Sequence, residues 1–232
     1  MVSMRSLIAV LIPVAAAAQL ALPPDWRQAR DAQDREALDR IAAAAAEQAA
    51  ARAADASAQY RAALAESLRS EVAMERRDRA AAGAAAQAGI KLAEKAVQLK
   101  PESGEYHRLL GTLCGQVIPA NVMLGLRYGR CALDEVTRAI ELEPKSALAW
   151  MSRGVGNYYL PASFGGGFDK ALEDFQKAAA LDPRNADVHL WLGLTLRKLN
   201  RHAEARAALE RSLKLNPARK WAREQLEKTP AP

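Results

Sequence analysis

Apolar residues recur along most of the chain at helical spacing, not at the alternation of a strand. Between Tyr60 and Glu75, Leu64, Leu68 and Val72 fall at four-residue steps. Arg76, Arg77 and Asp78 mark a turn. The stretch from Ala81 to Leu99 then supplies a facing helix with Ile90, Ala93 and Val97 inward. Upstream, Pro23-Pro24 breaks the chain, and Asp25 is placed to cap a short helical start around Trp26. From Asp31 to Ala54 the sequence is alanine-rich, which predicts a helix by propensity alone. The charge pairs Asp31–Arg35 and Glu36–Arg40 sit at helical spacing within it. Its stripe of Leu38, Ile41 and Ala45 is thin, so it docks as an N-terminal cap or stands as a mobile helical arm.

Downstream the pattern becomes periodic. Gly104 to Gln116 reads as one helix. Pro119 lies near the start of the next, which is predicted to run from Asn121 to Leu142 and to project beyond its neighbours. Val122, Leu126 and Tyr128 on that extension need cover. Lys145-Ser146 opens another helix, which Pro161 ends. Gly165-Gly166-Gly167 permits positive φ in the following turn, and Asp169 is placed to cap the helix after it. The 184–217 stretch, RNADVHLWLGLTLRKLNRHAEARAALERSLKLNP, reads as two amphipathic helices with a tight turn between them. A last amphipathic helix spans Ala218 to Lys228. Trp221 and Leu226 cover the end of the stack, and Thr229 to Pro232 fray.

Four helices close on similar words: Leu-Lys-Pro, Leu-Glu-Pro, Leu-Asp-Pro and Leu-Asn-Pro, ending at Pro101, Pro144, Pro183 and Pro217. The prolines are 43, 39 and 34 residues apart. A proline just past a helix cannot continue it, so the chain turns. In the last unit Leu192-Gly193, Leu196, Ala205, Leu209, Ser212 and Pro217 form a set of small and apolar positions. Trp150, Gly154, Ala171, Phe175, Ala178 and Pro183 form the matching set before it, and Leu110-Gly111, Ala132, Val136, Ala139 and Pro144 the one before that. The block ending at Pro101 keeps only Ala93, Ala96 and the proline. On these positions the chain resembles the tetratricopeptide repeat (TPR) family, whose period is about 34 residues. Arg153 departs from the pattern, because a leucine is usual there.

The resemblance implies an all-α fold, a right-handed TPR-type superhelix of antiparallel helix pairs with N-terminal and C-terminal capping helices. The physics agrees. A residue without Cβ at 154 or 193 lets the partner helix approach closely, and a single hairpin must stack on a neighbour to bury its apolar surface. The expected organisation is a signal peptide over 1–18, an alanine-rich helical segment over 19–56 and a divergent first repeat over 57–103. Three TPR-like repeats over 104–217 and a capping helix with tail over 218–232 complete it. The Pro161-x-x-Phe164-Gly-Gly-Gly insertion is similar to one in exported bacterial TPR proteins, and to the periplasmic TatT-type components associated with TRAP transporters.

Composition adds the compartment. Arg5 precedes an apolar run from Leu7 to Ala18, too short for an ordinary spanning helix, and Ala16-Ala17-Ala18 offers a small-residue cleavage site before Gln19. This reads as an export signal, giving a periplasmic or secreted location. The alternative is an uncleaved anchor reaching Leu22. The whole net charge of +6 lies in 184–232, where eleven cations face five anions. Such an end can meet anionic lipid or an acidic partner. The plainer reading is a solvated face with cations near helix C-termini. Membrane contact is expected only through that basic end or an uncleaved signal. No aromatic-interleaved basic motif speaks for nucleic acid.

Catalytic chemistry is not signalled. His107 and His189 take equivalent first-helix places, His202 lies at a turn, and none has a second ligand at metal spacing. The glycine-rich loop lacks the Gly-Lys-Ser/Thr ending and follows no strand, so it is not a Walker loop. No serine has a nucleophile-elbow context, and carboxylates are dispersed. A non-enzymatic scaffold with no cofactor and no metal is the expected class, binding a protein or peptide. The alternative is a periplasmic small-ligand carrier or transporter accessory subunit of the TatT type. Cys114 and Cys131 lie late in one helix and early in its partner, so a disulfide or two small buried apolar residues are the two readings.

Helical spacing from the small residue places Arg108, Thr112, Met151, Val155, Tyr158, Tyr159, Leu190, Leu194 and Arg197 on the inner face, as the partner-binding groove. Packing against neighbouring hairpins or the N-terminal helix is the competing use of the same residues. Chaperone-binding members of the family grip a peptide carboxylate with lysine and asparagine. Arg108, Thr112, Ser152, Asp187 and Trp191 stand in the corresponding region here, so a chaperone tail is not the expected ligand.

Overall fold

The computed structural model describes residues 22–120 and 123–231. The proposed signal over 1–18, together with Asn121 and Val122, lies outside the described residues. Among the described residues there are eleven α-helices and no strand: α1 Pro24–Ala32, α2 Arg35–Ala51, α3 Ala56–Glu75, α4 Arg79–Leu99, α5 Gly104–Val117, α6 Leu124–Leu142, α7 Ala147–Tyr159, α8 Phe168–Leu181, α9 Ala186–Lys198, α10 His202–Leu215 and α11 Lys220–Glu227. They form antiparallel hairpins that stack in chain order, each packed on the next.

Local chemistry sets the boundaries. Asp34, Asp55, Asp78, Ser103, Ser146 and Asn185 each accept a hydrogen bond from a first-turn backbone N–H of the helix they precede. Pro101, Pro144, Pro183 and Pro217 each stand two residues past a helix end. Within the hairpins the small positions permit close approach. A Cβ on Gly154 would sit 2.7 Å from Phe175 Cε1, and one on Gly193 2.6 Å from Leu209 Cγ. Phe175 and Leu209 are fully buried there.

Several expectations change. The alanine-rich segment is not one helix over 31–54. Gln33 adopts a left-handed conformation (φ 57°) and Asp34 caps a new helix, so α1 and α2 form a hairpin of their own. Tertiary bonds override alanine propensity at that break: Asp31 and Gln33 both turn inward to polar and charged partners. Consequently Arg35 pairs with Asp78 at 3.0 Å, not with Asp31. Asp25 lies inside the first turn of α1, with Pro23 at the cap position. After α5 a 3₁₀ turn, Ile118–Ala120, holds Pro119, and α6 begins at Leu124. On its extension Tyr128 packs against the core, whereas Leu126 is 81% exposed. Asp169 makes no cap bond; Gly167 occupies the cap of α8. Two of the three loop glycines have positive φ, and Gly166 serves close approach, since an added Cβ there would collide with the Leu160 carbonyl oxygen.

The core follows chain order. One apolar cluster joins α1, α2 and α3, a second joins α3 to α6, and two more hold α8 to α11. Cys114 and Cys131 are joined in a disulfide between α5 and α6, with Cα atoms 6.0 Å apart.

Candidate binding groove

The first helix of each hairpin (α1, α3, α5, α7 and α9) supplies the inner face. The nine residues expected there divide into three groups. Leu190 (0% exposed) and Leu194 (3%) are core, packed with Leu209 and Ala222. They do not line a groove, because the last hairpin draws them under α11. Arg108 is also buried. Its guanidinium donates to both oxygens of Glu105 at 2.6 Å, and Tyr60 Oη donates to Glu105 at 2.8 Å. Burial lowers the proton affinity of that guanidinium, but Glu105 outweighs it and holds the group charged; burial and the same carboxylate push the Tyr60 phenol up. Thr112 donates to Ser152 Oγ at 3.1 Å, and Arg108 reaches the same hydroxyl at 3.3 Å, so α3, α5 and α7 are tied together. Arg197 donates to the carbonyl and side chain of Gln225 at 3.1 and 2.9 Å, fastening α11.

Met151, Val155, Tyr158 and Tyr159 remain. Met151, Val155 and Tyr158 are half-buried, and Tyr159 is 58% exposed. Tyr158 meets Tyr159, Phe168 and Trp191 edge to face at 5.1, 5.2 and 5.6 Å; Trp191 meets Trp221 at 5.6 Å. The result is an aromatic wall at the C-terminal side of the inner face. Although the Tyr159 ring presents area to water, protein surrounds it. That crowding, with Tyr158 and Glu75 nearby, pushes its phenol up to about 12.

Beside the wall, with Arg219 Cζ 5.7 Å from the Trp221 ring centre, lies a cluster that the repeat pattern did not announce. Arg219, 1% exposed, donates from Nη2 to Glu71 at 2.7 Å and to Glu75, and from Nη1 to Glu75 at 3.1 Å. Its Nε faces Asp187 at 3.6 Å and Asp31 at 3.8 Å. Arg30 donates to Asp187 and to Asp31, both at 2.8 Å, and Asn216 donates to Asp31 at 2.8 Å. Two guanidiniums thus meet four carboxylates, joining α1 and α3 to α9 and the turn before α11. Burial pushes Glu75 up to about 7; Arg219 opposes the shift and Glu71 adds to it. Asp187 is held below its ordinary value because Arg30 and Arg219 outweigh its burial. One sequence signal existed. Glu71 and Glu75 are like charges at i,i+4, a repulsive pair that needs a cation from elsewhere.

Part of the basic end is spent within the fold. Arg206 donates to the Thr229 carbonyl at 2.9 Å, Arg223 to that of Pro217 at 2.8 Å, and Arg201 pairs with Glu204 at 2.6 Å. None of the described helices is long and apolar enough to cross a membrane.

Residues 163–220 match the family model described as Tetratricopeptide repeat. The crystal structure of TTC0263, a thermophilic TPR protein from Thermus thermophilus, superposes with TM-score 0.60 at 19% identity, covering 88% of this chain and 97% of that one. The fold is a tetratricopeptide-repeat solenoid. Its superhelix is right-handed, as in that family. The HusA haemophore from Porphyromonas gingivalis superposes with TM-score 0.50 at 21% identity, covering 70% of this chain and 82% of that one. No curated protein sequence matches the chain.

Proposed function

We propose that this solenoid is a non-enzymatic scaffold of the cell envelope that holds a peptide segment of a partner against the aromatic wall of α7 and α9. The observation that carries this is Tyr159. It is a large aromatic side chain, more than half exposed, set beside Tyr158, Trp191 and Trp221 on the inner face. Rigid aromatic groups of this kind dominate recognition energetics. A small-ligand carrier needs an apolar enclosure instead. The centre of the stack is filled by Leu109, Leu113, Cys114 and Val117, each at most 1% exposed.

Two tests apply. Peptides selected from a displayed library on the mature protein are expected to lose about tenfold in affinity with Tyr159→Ala, roughly 1.4 kcal/mol. Unchanged affinity removes the wall as the site. Export is the second part of the reading, and the disulfide supports it, since such bonds persist in oxidising compartments. Protein recovered from the envelope is expected to begin at Gln19. Recovery of the full-length chain from the cytosol would refute export.

A further inference from the structure

Five observations about the charged cluster belong together. First, it links the two ends of the solenoid, α1 and α3 on one side, α9 and α11 on the other. Second, among the described residues no apolar cluster makes that link. The residues that pack α1 to α3 and those that pack α9 to α11 form separate groups with no shared member. Among the described residues, the side-chain links between these ends are ion pairs and hydrogen bonds. Third, the charges do not balance: Asp31, Glu71, Glu75 and Asp187 exceed Arg30 and Arg219 by two. Fourth, the surplus is sheltered unevenly. The Glu71 side chain keeps 32% of its exposure and Glu75 only 3%. Fifth, the cluster borders the aromatic wall, since Glu75 lies close enough to Tyr159 to disfavour its ionisation.

We infer that this cluster is a clasp closing the inner face, and that it loosens as pH rises because Glu75 must then stay ionised among surplus carboxylates. The inference rests on the groove reading for its purpose, not for its geometry.

The groups around Glu75 come from every neighbouring element. Arg30 and Asp31 belong to α1, and Gln33, in the turn after it, donates to Glu75 at 3.0 Å. Glu71 is one turn back on α3, Tyr159 ends α7, Asp187 opens α9, and Arg219 precedes α11. The exposed Arg35–Asp78 pair lies just past the end of α3. A buried carboxylate with a carboxylate neighbour holds a proton more tightly than one in water. The clasped form therefore binds a proton at Glu75 that the open form releases. The sign follows from linkage. With Glu75 raised from about 4.5 to about 7, the proton's contribution to closure is complete below the ordinary carboxylate range and is lost as pH rises through about 7. Asp187 is shifted the other way, so its contribution is present above the ordinary range and is lost in stronger acid. The clasp is tightest in mild acid.

The experiment places nitroxides at exposed positions on the two ends, through Gln28→Cys and Ala218→Cys in the otherwise native, disulfide-bonded protein, and measures their separation by pulsed electron resonance. The expected result is one short distance at pH 5.5 and a growing long-distance population by pH 8.5. The same labels on a Glu75→Gln background should stay short at both values, because a neutral amide reproduces the protonated carboxyl. A wild-type distribution unchanged between the two pH values overturns the proposal, as does a Glu75→Gln protein that opens like wild type. A melting scan of each labelled variant confirms that the repeats remain folded. Should the Tyr159→Ala test fail while the distances still shift, the clasp stands and only its role in guarding a peptide site falls.

Discussion

Arg153 shows how one side chain can replace a usual hydrophobic contact. Leucine is the usual occupant of its position in the repeat. Here Arg153 donates to Asp174 from Nε at 3.0 Å and from Nη2 at 2.6 Å, while its Cζ lies 4.3 Å from the centre of the Trp150 ring. Asp174 keeps 4% of its side-chain exposure and takes a further bond from Asn157 at 2.8 Å. Removing the arginine strands a buried carboxylate, so Arg153→Leu should destabilise the protein by about 1–2 kcal/mol, although leucine restores the family residue. Urea melts check this. The double variant Arg153→Leu with Asp174→Leu should recover much of the loss, since an apolar pair in place of a buried ion pair is often neutral. The departure at 153 was legible in the sequence. Its partner was not, because Asp174 lies 21 residues away and spacing within one helix cannot reveal it.

At the scale of elements, the pattern located helices wherever an apolar stripe and a closing proline coincided. The hairpins α7–α8 and α9–α10 are examples. It failed where the deciding contact was distant. Alanine propensity runs straight through Gln33 and Asp34, and only the inward bonds of Asp31 and Gln33 explain the break there. The α5–α6 hairpin carries a different device. Its disulfide closes a separation of 17 residues at the more lengthened of the two connections that carry an insertion. By chain entropy a loop of this size is stabilised by about 3 kcal/mol. Reduction should therefore lower Tm by roughly 6–12 °C on the usual scaling for a chain of this length. A scan with and without a thiol reductant measures it. The Cys114→Ala, Cys131→Ala variant should be insensitive to the reductant.

For the whole molecule, a repeat solenoid is ordinarily a one-dimensional object in which each unit feels only its neighbours. The apolar clusters obey that rule, each joining only elements that are neighbours in chain order. The charged cluster breaks it by tying Asp31 to Asn216 and Glu75 to Arg219 across most of the chain. The two kinds of contact should come apart separately. Arg219→Gln removes the cation common to Glu71, Glu75, Asp31 and Asp187, and with it a contact 5.7 Å from the Trp221 ring centre, but it leaves Leu190, Leu194, Leu209 and Ala222 in place. Breaking a buried pair by taking one partner costs about 3–5 kcal/mol when the remaining charge must stay buried. Here that charge can escape into water by opening the ends, so the cost should appear as local opening and not as global unfolding. Amide exchange in α1 and α11 should rise in Arg219→Gln, while α5 and α6, held by Leu109, Leu113 and the disulfide, keep their protection. A uniform rise across all hairpins would mean that the ends and the repeats form one cooperative unit, and that closure is part of folding, not a step after it.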